Sequence, residues 1–240
     1  MNTFLENDLD LLHYIVRRNL QVGDTLPSLQ DLTHDDHLGL STGKIREQLA
    51  VVKALGLVDV RSKVGTRLRE FSFAPVVKLA LSYALARDPH SFEEFSELRK
   101  HIEVAFWDEA CQLLTEADKV IMRQCLDAAQ KKLHSHPIRI PFEEHGLFHM
   151  TVFNQLQNPF VMGLLEAYWE AYAAVETNRY ADYAYLRRVW EYHEQIFARI
   201  CAGDFAGARF AFMEHTTLRP YTHPPPDEAT KGDPNGTPHP

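Results

Sequence analysis

Two histidines one helical turn apart have the residue type and the spacing of a metal site. His145 and His149 lie four residues apart in the stretch Glu-Glu-His-Gly-Leu-Phe-His. If this stretch is helical, both imidazoles lie on one face and can converge on a single metal ion. His193 and His215 lie in long amphipathic stretches downstream. A metal site would join these segments in the core of a helical domain, although an interior histidine is also compatible with an ordinary core position.

No other familiar catalytic motif occurs in the sequence. There is no phosphate-binding glycine loop, no Gly-x-Ser-x-Gly nucleophile motif and no His-Glu-x-x-His motif of zinc proteases. A metal-bound water in a helical bundle could still hydrolyse a small substrate, and Glu144 is the only nearby candidate for a general base. A metal-dependent enzyme is therefore kept as an alternative to a binding protein.

The composition is that of an ordinary globular protein. The chain has 240 residues, 45% hydrophobic and 24% charged, enough for one large domain or two small ones. No apolar run approaches the ~20 residues of a membrane span, and the acidic N-terminus does not resemble a secretory signal. Three cysteines without a Cys-x-x-Cys pair are expected to be reduced core residues of a cytoplasmic protein. They are Cys111, Cys125 and Cys201.

The formal net charge of −8 argues against a protein whose whole surface coats nucleic acid. The charge is distributed unevenly along the chain. Residues 1–40 carry seven acidic and two basic side chains, whereas residues 41–69 carry seven basic and two acidic ones. A basic segment in an acidic chain is a candidate phosphate-facing surface. A solvated helix face is the alternative interpretation.

Three short helices are predicted in the first part of the chain. Apolar residues at helical spacing indicate helices over residues 5–18, 28–34 and 41–55. Ser28 is a predicted N-cap, with an aspartate three residues later that completes a capping box. Ser41 is the predicted N-cap of the third helix.

The third helix is predicted to have one buried stripe and one polar face. Lys44, Arg46 and Gln48 are expected to point away from the core. Gly56 ends the helix, and residues 57–69 alternate like a small hairpin. Three helices and a hairpin predict a winged helix-turn-helix, whose third helix fits the major groove of DNA, although an inert bundle is the alternative. The predicted stripe consists of Ile45, Leu49, Val52 and Leu55.

Five stretches of this region resemble the DNA-binding domain of GntR-family transcription regulators. They are Gly23-Asp24-Thr25-Leu26-Pro27-Ser28, Leu40-Ser41, Ile45-Arg46-Glu47-Gln48-Leu49, Leu55-Gly56-Leu57-Val58 and Gly65-Thr66. The resemblance implies that Arg46 contacts operator DNA, that the start of the third helix lies at the groove, and that Gly65 shapes the wing tip. The basic side chains of the wing are expected to grip the DNA backbone. The full set of predicted DNA-binding residues is Gln30, Thr42, Gly43, Lys44, Arg46, Arg61, Lys63 and Gly65.

The sequence departs from the family pattern at a few positions. Gln30 and Thr42 stand where family members often carry arginine, and residues 33–37 are longer than usual by about two positions. The loss of two cations weakens contacts to phosphates and bases or shifts the preferred operator. We therefore expect the fold to follow the family and the DNA sequence that is read to differ.

Helical periodicity dominates from residue 75 onwards. Ser91 and Thr115 are predicted N-caps, each with an acidic residue three positions later. Residues 221–240 are rich in proline and poor in apolar residues, which predicts a disordered tail. The predicted helices span residues 75–87, 91–114, 116–134, 140–157, 159–175, 180–202 and 204–218.

An all-helical domain behind such a DNA-binding domain resembles the FCD type, the effector domain of the FadR subfamily. The matching residues are Leu98-Arg99, Glu103, Phe148-His149, Asn158-Pro159, His193, Ile196, Ala208, Met213 and His215. In many such domains an aspartate and three histidines hold a divalent metal at the floor of a ligand pocket. The aspartate precedes the first histidine by four residues.

The resemblance implies a metal site made of His145, His149, His193 and His215, with His145 at the aspartate position. Four neutral imidazoles suit Zn²⁺ or Ni²⁺. The exchange of a carboxylate for an imidazole leaves more positive charge on the metal for an anionic ligand. Glu144 is the fallback oxygen ligand if His145 points away.

Arg99 is predicted to face the same cavity, where its guanidinium can hold the carboxylate of an effector. A salt bridge from Arg99 to Glu103, one turn further on, is the alternative interpretation. Six aromatic residues are expected mostly in the core or in dimer packing, with one or two of them at the pocket. They are Trp107, Trp169, Trp190, Tyr168, Tyr172 and Tyr192.

The sequence thus predicts a mainly α protein with four segments. These are an N-terminal winged helix-turn-helix in residues 1–70, a linker in 71–75, a C-terminal all-helical bundle in 76–220 and the tail. The predicted function is a cytoplasmic transcription regulator that binds operator DNA as a homodimer and responds to a small organic or sugar acid. Besides the enzyme, a metal sensor or a regulator with a purely structural metal is the alternative.

Overall fold

A computed structural model describes residues 9–35, 38–61, 65–176 and 183–218. Within these ranges the chain forms ten helices and one two-stranded sheet, so the predicted mainly α class is confirmed. No helix in the described ranges is long and apolar enough to cross a membrane. The predicted tail, residues 221–240, lies outside them.

The N-terminal part has the three helices and the hairpin that were predicted. Helix α2 begins with the predicted capping box, because the Ser28 hydroxyl accepts the Asp31 N–H and the Asp31 carboxylate accepts the Ser28 N–H. The Ser41 hydroxyl caps α3 by accepting the Lys44 N–H, as predicted. The elements are α1 (Asp10–Arg17), α2 (Leu29–Thr33), α3 (Thr42–Ala54), β1 (Val58–Arg61) and β2 (Gly65–Leu68).

The wing is an antiparallel hairpin that is tied to the chain between α1 and α2. In the hairpin Val58 pairs with Leu68. The Leu68 N–H donates to the Asp24 carbonyl at 2.9 Å, and the Leu26 N–H donates to the Thr66 carbonyl at 2.8 Å. These bonds cover one edge of the hairpin and fix its position against the helices.

Gln48 was predicted to point away from the core, and this is wrong, because only 2% of the residue is exposed. Its side-chain oxygen accepts the Leu11 N–H at 2.7 Å, and its amide nitrogen donates to Asp10 at 3.1 Å. The first N–H groups of a helix have no partner within the helix. The Gln48 side chain is the hydrogen-bond acceptor for one of these N–H groups, that of Leu11, and thereby joins α3 to α1.

Seven helices form the C-terminal part in the described residues 74–176 and 183–218. Helix α4 begins at Ala74, inside the segment predicted as a linker, and α7 is shorter at both ends than the predicted helix over residues 140–157. Helix α10 packs against α9 and α5, α4 against α8, and α6 against α7. The helices are α4 (Ala74–Arg87), α5 (Ser91–Leu113), α6 (Glu116–Leu133), α7 (Phe142–Phe153), α8 (Pro159–Glu176), α9 (Tyr183–Cys201) and α10 (Phe205–Thr217).

One of the two predicted caps in this part is present. Thr115 and Asp118 form a capping box at the start of α6. Ser91 is not the N-cap, because it is already the first residue of α5 and His90 occupies the N-cap position. The Ser91 N–H donates to the Asp88 carbonyl at 3.1 Å. Ser91 is therefore part of the turn that begins at Asp88 and is the first residue of the helix.

The cysteines are only partly as predicted. Cys111 and Cys125 are buried in the helical core, and burial raises the pKa of the Cys111 thiol to about 12. Cys201 is exposed at the last position of α9, so its predicted core location is wrong. Cys201 lies on the outer face at the end of α9. A cysteine is usually buried, so the residue type alone did not predict this exposure.

Candidate metal centre

Three helices bring the four predicted histidines together. His145 and His149 come from α7, His193 from α9 and His215 from α10. One ring nitrogen of each lies within 4.8 Å of those of the others. The two closest, Nε2 of His149 and Nε2 of His193, are 3.1 Å apart. This geometry is what the helical spacing and the family resemblance led us to expect.

The position of the cluster follows from how α9 and α10 are joined. A tight turn at Gly203, with a positive φ of 74°, reverses the chain between them. The Asp204 carboxylate then accepts the Gly207 N–H at 2.9 Å and starts α10. Since the two helices pack along each other, His193 and His215 face the same interior space as α7.

The rings are almost completely removed from solvent. His149, His193 and His215 are at most 7% exposed, and His145 is partly buried with a buried Nε2 atom. Burial lowers the pKa of His145, His193 and His215 well below the ordinary value. The neighbouring rings lower these pKa values further. The imidazoles are therefore neutral, which is the form that binds metal ions.

The outer nitrogens of three rings face defined neighbours. Nδ1 of His193 lies 2.7 Å from the Val189 carbonyl, which can only accept, so Nδ1 carries the proton. The Nε2 lone pair of His193 therefore points into the cluster, towards Nε2 of His149 at 3.1 Å. Nδ1 of His145 lies 3.2 Å from the Tyr172 hydroxyl. Nδ1 of His149 lies 3.6 Å from the Glu103 carboxylate, just beyond hydrogen-bond distance. Such outer partners orient the rings of metal-binding histidines.

The cluster also contains buried nitrogens without hydrogen bonds. Within the described ranges, Nε2 of His145 and Nδ1 of His215 have no partner. An unsatisfied buried polar atom costs roughly 1–3 kcal/mol. Four neutral imidazoles around one point, with lone pairs left unused, fit a divalent metal better than they fit a satisfied protein core.

Glu103 lies beside the cluster and is completely buried. Burial alone would raise its pKa, but the neighbouring Arg99 guanidinium and His149 together outweigh burial and lower the pKa, so Glu103 is a carboxylate. Arg99 donates from Nη1 to Glu103 Oε2, and this is the salt bridge that was kept as an alternative. The approach of Glu103 to His149 was missed, because it depends on the packing of α5 against α7.

Arg99 has a second set of contacts besides this salt bridge. Its Nη2 donates to the Tyr168 hydroxyl at 3.3 Å, and its guanidinium lies 4.5 Å from the Tyr168 ring centroid. Its Nε is buried and has no hydrogen-bond partner within the described ranges. Arg99 also lines the cavity, together with His145 and His215.

A cavity of about 370 Å³ opens next to the histidine cluster, a size typical of small-molecule sites. Of the six aromatic residues considered from the sequence, Tyr168 and Tyr172 line this cavity. Trp107 and Trp190 instead lie in the core, and Trp169 packs its ring against His149 at a centroid distance of 4.7 Å.

Glu144 was considered both as a fallback ligand and as a general base. The structure places it elsewhere, in a 2.8 Å salt bridge with Lys132 of α6. His145, and not Glu144, belongs to the cluster.

The predicted DNA-binding residues lie on α2, α3 and the wing. Two cations are paired with acidic neighbours, Arg61 with Asp59 at 2.7 Å and Lys44 with Glu47 at 3.7 Å. Lys63 lies outside the described residues. The exposed members of the set are Gln30, Thr42, Gly43, Lys44, Arg46, Arg61 and Gly65.

The helical part of the chain matches a known family model. The model of the FCD domain covers residues 94–218, which is just over half of the chain and includes all four clustered histidines. The chain belongs to the FCD family. In this protein the FCD domain follows a winged helix-turn-helix, which is the arrangement of a DNA-binding transcription regulator of the GntR family.

Individual relatives agree with this assignment. The HTH-type transcriptional regulator LutR of Bacillus subtilis is 28% identical, over 82% of this FCD protein and 90% of the relative. An Escherichia coli protein, a candidate regulator of the L-lactate dehydrogenase operon, is 27% identical over 85% of this chain and 80% of its own. The solved structure of Streptococcus agalactiae GntR shares the fold, with a TM-score of 0.62 at 20% identity, covering 86% of this chain and 93% of that chain.

Proposed function

We propose that this regulator senses a small organic acid, which binds beside a divalent metal ion held by His145, His149, His193 and His215. The observation that carries the proposal is the convergence of four ring nitrogens within 4.8 Å at the cavity. Zinc and nickel are the metals whose preferences match four imidazoles. When bound, the metal supplies a positive charge to which a carboxylate can coordinate.

The residues around the cavity support an acid as the effector. The Tyr168 and Tyr172 hydroxyls can donate hydrogen bonds to an acid in the cavity, and Arg99 also belongs to its lining. One relative is a candidate regulator of the L-lactate dehydrogenase operon, and lactate is a hydroxy acid of the proposed class.

The proposed output is a change in operator binding. We infer that the protein acts in the cytoplasm as a homodimer, with two winged helices on half-sites about one DNA turn apart. An effector that favours one relative placement of the two winged helices changes their fit to the operator. We expect repression that the acid relieves. The predicted DNA-binding set, centred on Arg46, would make the contacts.

The geometry around the cluster weighs against the enzyme alternative. A hydrolytic metal site needs an open coordination position and a general base. Four protein ligands leave fewer open positions than three, and Glu144 is held by Lys132 instead of lining the cavity.

The proposal is tested by thermal unfolding with a panel of hydroxy, sugar and dicarboxylic acids, using metal-loaded and metal-stripped protein. We expect acids to raise the melting temperature of the metal-loaded form alone. Equal increases in melting temperature in both forms would show that the acid binds independently of the metal. Stabilisation by metal with no response to any acid would favour a metal sensor or a structural metal. The surface variant His134→Ala serves as control, since His134 is exposed at the C-terminal end of α6 and is not one of the four clustered histidines.

A further inference from the structure

We propose that the cavity selects acids with a single carboxylate and with hydroxyl or amino groups on the remainder of the molecule, and that it discriminates against dicarboxylic acids. This inference rests on the proposed function and narrows the class of effector. The observation behind it is the difference in charge between the two ends of the cavity.

At the inner end the protein itself supplies no uncompensated charge. The Arg99 guanidinium is neutralised by Glu103, and both side chains are buried. The metal would therefore be the source of positive charge for the effector, and one carboxylate is sufficient to occupy it. The Tyr168 and Tyr172 hydroxyls can donate to the same carboxylate or to a neighbouring hydroxyl.

At the outer end the lining is acidic. Glu93, Glu94 and Glu97 project from the first two turns of α5 and line the cavity with exposed side chains. Among the lining residues that the structure describes, Lys100 is the only cation besides Arg99 and the histidines, and it lies 3.9 Å from Glu97. His90 also lines the cavity and lies 2.9 Å from Glu93, so three carboxylates face one lysine and one histidine at the mouth.

The two ends of a bound effector therefore lie in different electrostatic environments. A second carboxylate would be placed among Glu93, Glu94 and Glu97, where like charges repel it. A hydroxyl or ammonium group can instead donate hydrogen bonds to the same carboxylates. Because the mouth is exposed and screened by salt, the discrimination should be moderate, about fivefold in affinity at low ionic strength.

The experiment is calorimetric titration of the full-length zinc-loaded protein with four acids of equal chain length. The acids are butyrate, 4-hydroxybutyrate, 4-aminobutyrate and succinate. A six-carbon series of the same design tests a greater distance between the carboxylate and the terminal group. We expect the hydroxy and amino acids to bind about fivefold more tightly than the dicarboxylate of the same length.

Two triple variants then test whether the three glutamates at the mouth cause the preference for hydroxy and amino acids over the dicarboxylate. In E93Q/E94Q/E97Q the preference should disappear, because succinate gains affinity and 4-aminobutyrate loses it. The matched variant E116Q/E166Q/E191Q removes the same charge from exposed positions outside the cavity and should retain the preference. The inference is overturned if succinate binds as tightly as 4-hydroxybutyrate, or if the first triple variant keeps the preference unchanged.

The outcomes also separate this inference from the proposed function. If all acids bind with equal affinity to zinc-loaded protein and not to metal-stripped protein, the metal-bound acid stands and the selectivity is wrong. If the acids bind equally to both forms, or none binds, the proposed function fails and the selectivity fails with it.

Discussion

The histidine cluster and the predicted DNA-binding surface differ in how firmly neighbouring atoms hold their side chains. Around the cluster, His193 is fixed by a 2.7 Å contact to a backbone carbonyl, and His149 lies between Trp169 and Glu103. On the predicted DNA-binding surface, Arg46 and Gln30 are exposed on α3 and α2. A buried site is arranged in advance by packing, whereas an exposed site acquires its geometry from the partner it binds.

This contrast predicts that changes in the FCD domain act on metal binding and stability, while changes on α3 act on DNA alone. The largest effect is expected for His193→Ala. Removing a ligand should lower zinc affinity more than about 100-fold, since the loss of outer partners alone costs 10–100-fold. Competition with a chromogenic chelator measures this affinity. His134→Ala should leave it unchanged, and equal affinity of both variants would refute the four-histidine site.

Glu103→Gln should reduce both stability and metal affinity. The change leaves the buried Arg99 without a charged partner, and breaking such a pair costs about 3 kcal/mol in unfolding free energy. Zinc affinity should fall about tenfold, because His149 loses the carboxylate beside its Nδ1. Denaturant unfolding and chelator competition measure the two effects. Glu109→Gln, exposed on the same helix, is the control. Full zinc affinity in Glu103→Gln would show that Glu103 has no part in positioning His149.

Arg46→Ala tests the other half of the comparison. Affinity for a DNA fragment from upstream of its own gene should fall by about 1–3 kcal/mol, while zinc affinity stays at the wild-type value. Gel-shift titration at fixed salt concentration provides the measurement. Lys53→Ala removes an exposed cation from the last turn of the same helix and should have a smaller effect. Equal losses in both variants would indicate a general charge effect instead of a specific contact.

The smallest effect concerns Asp118, which lies outside both sites. Burial would raise its pKa, but hydrogen bonds from Asn154, Thr115 and Gln155 outweigh burial and lower the pKa to about 2. A carboxyl with a depressed folded-state pKa stabilises the protein above its unfolded pKa, about 3.9. That contribution is lost as the pH falls from about 4 to 2.

Unfolding measured against pH should therefore show a steeper acid loss in the wild type than in Asp118→Asn. At pH 7 the variant should be about 1 kcal/mol less stable, since it loses the charge of a capping box. Parallel pH profiles would contradict this assignment.

The sequence revealed features that depend on local spacing. The capping boxes at Ser28 and Thr115 are present, because a cap needs only a serine or threonine and an acidic residue three positions later. The pair His145 and His149 lies on one helix face for the same reason. Joining it to His193 and His215 required the family resemblance, since spacing along the chain does not show how helices pack.

Features that depend on packing between distant helices were missed or misassigned. Gln48 was placed on the polar face by its residue type, and its buried bond to α1 involves residues 37 positions away. Glu103 was considered only as a partner of Arg99, although it also lies 3.6 Å from His149 of α7. The acidic mouth of the cavity likewise required the position of α5 relative to the cluster.

X-ray absorption at the zinc edge of the full-length protein tests the central claim most directly. We expect a first shell of nitrogen at about 2.0–2.1 Å, with the outer-shell scattering of four imidazoles. Addition of 4-hydroxybutyrate should bring an oxygen ligand into this shell. A spectrum with two or fewer imidazoles, or one that no acid alters, would contradict a metal-bound effector at His145, His149, His193 and His215.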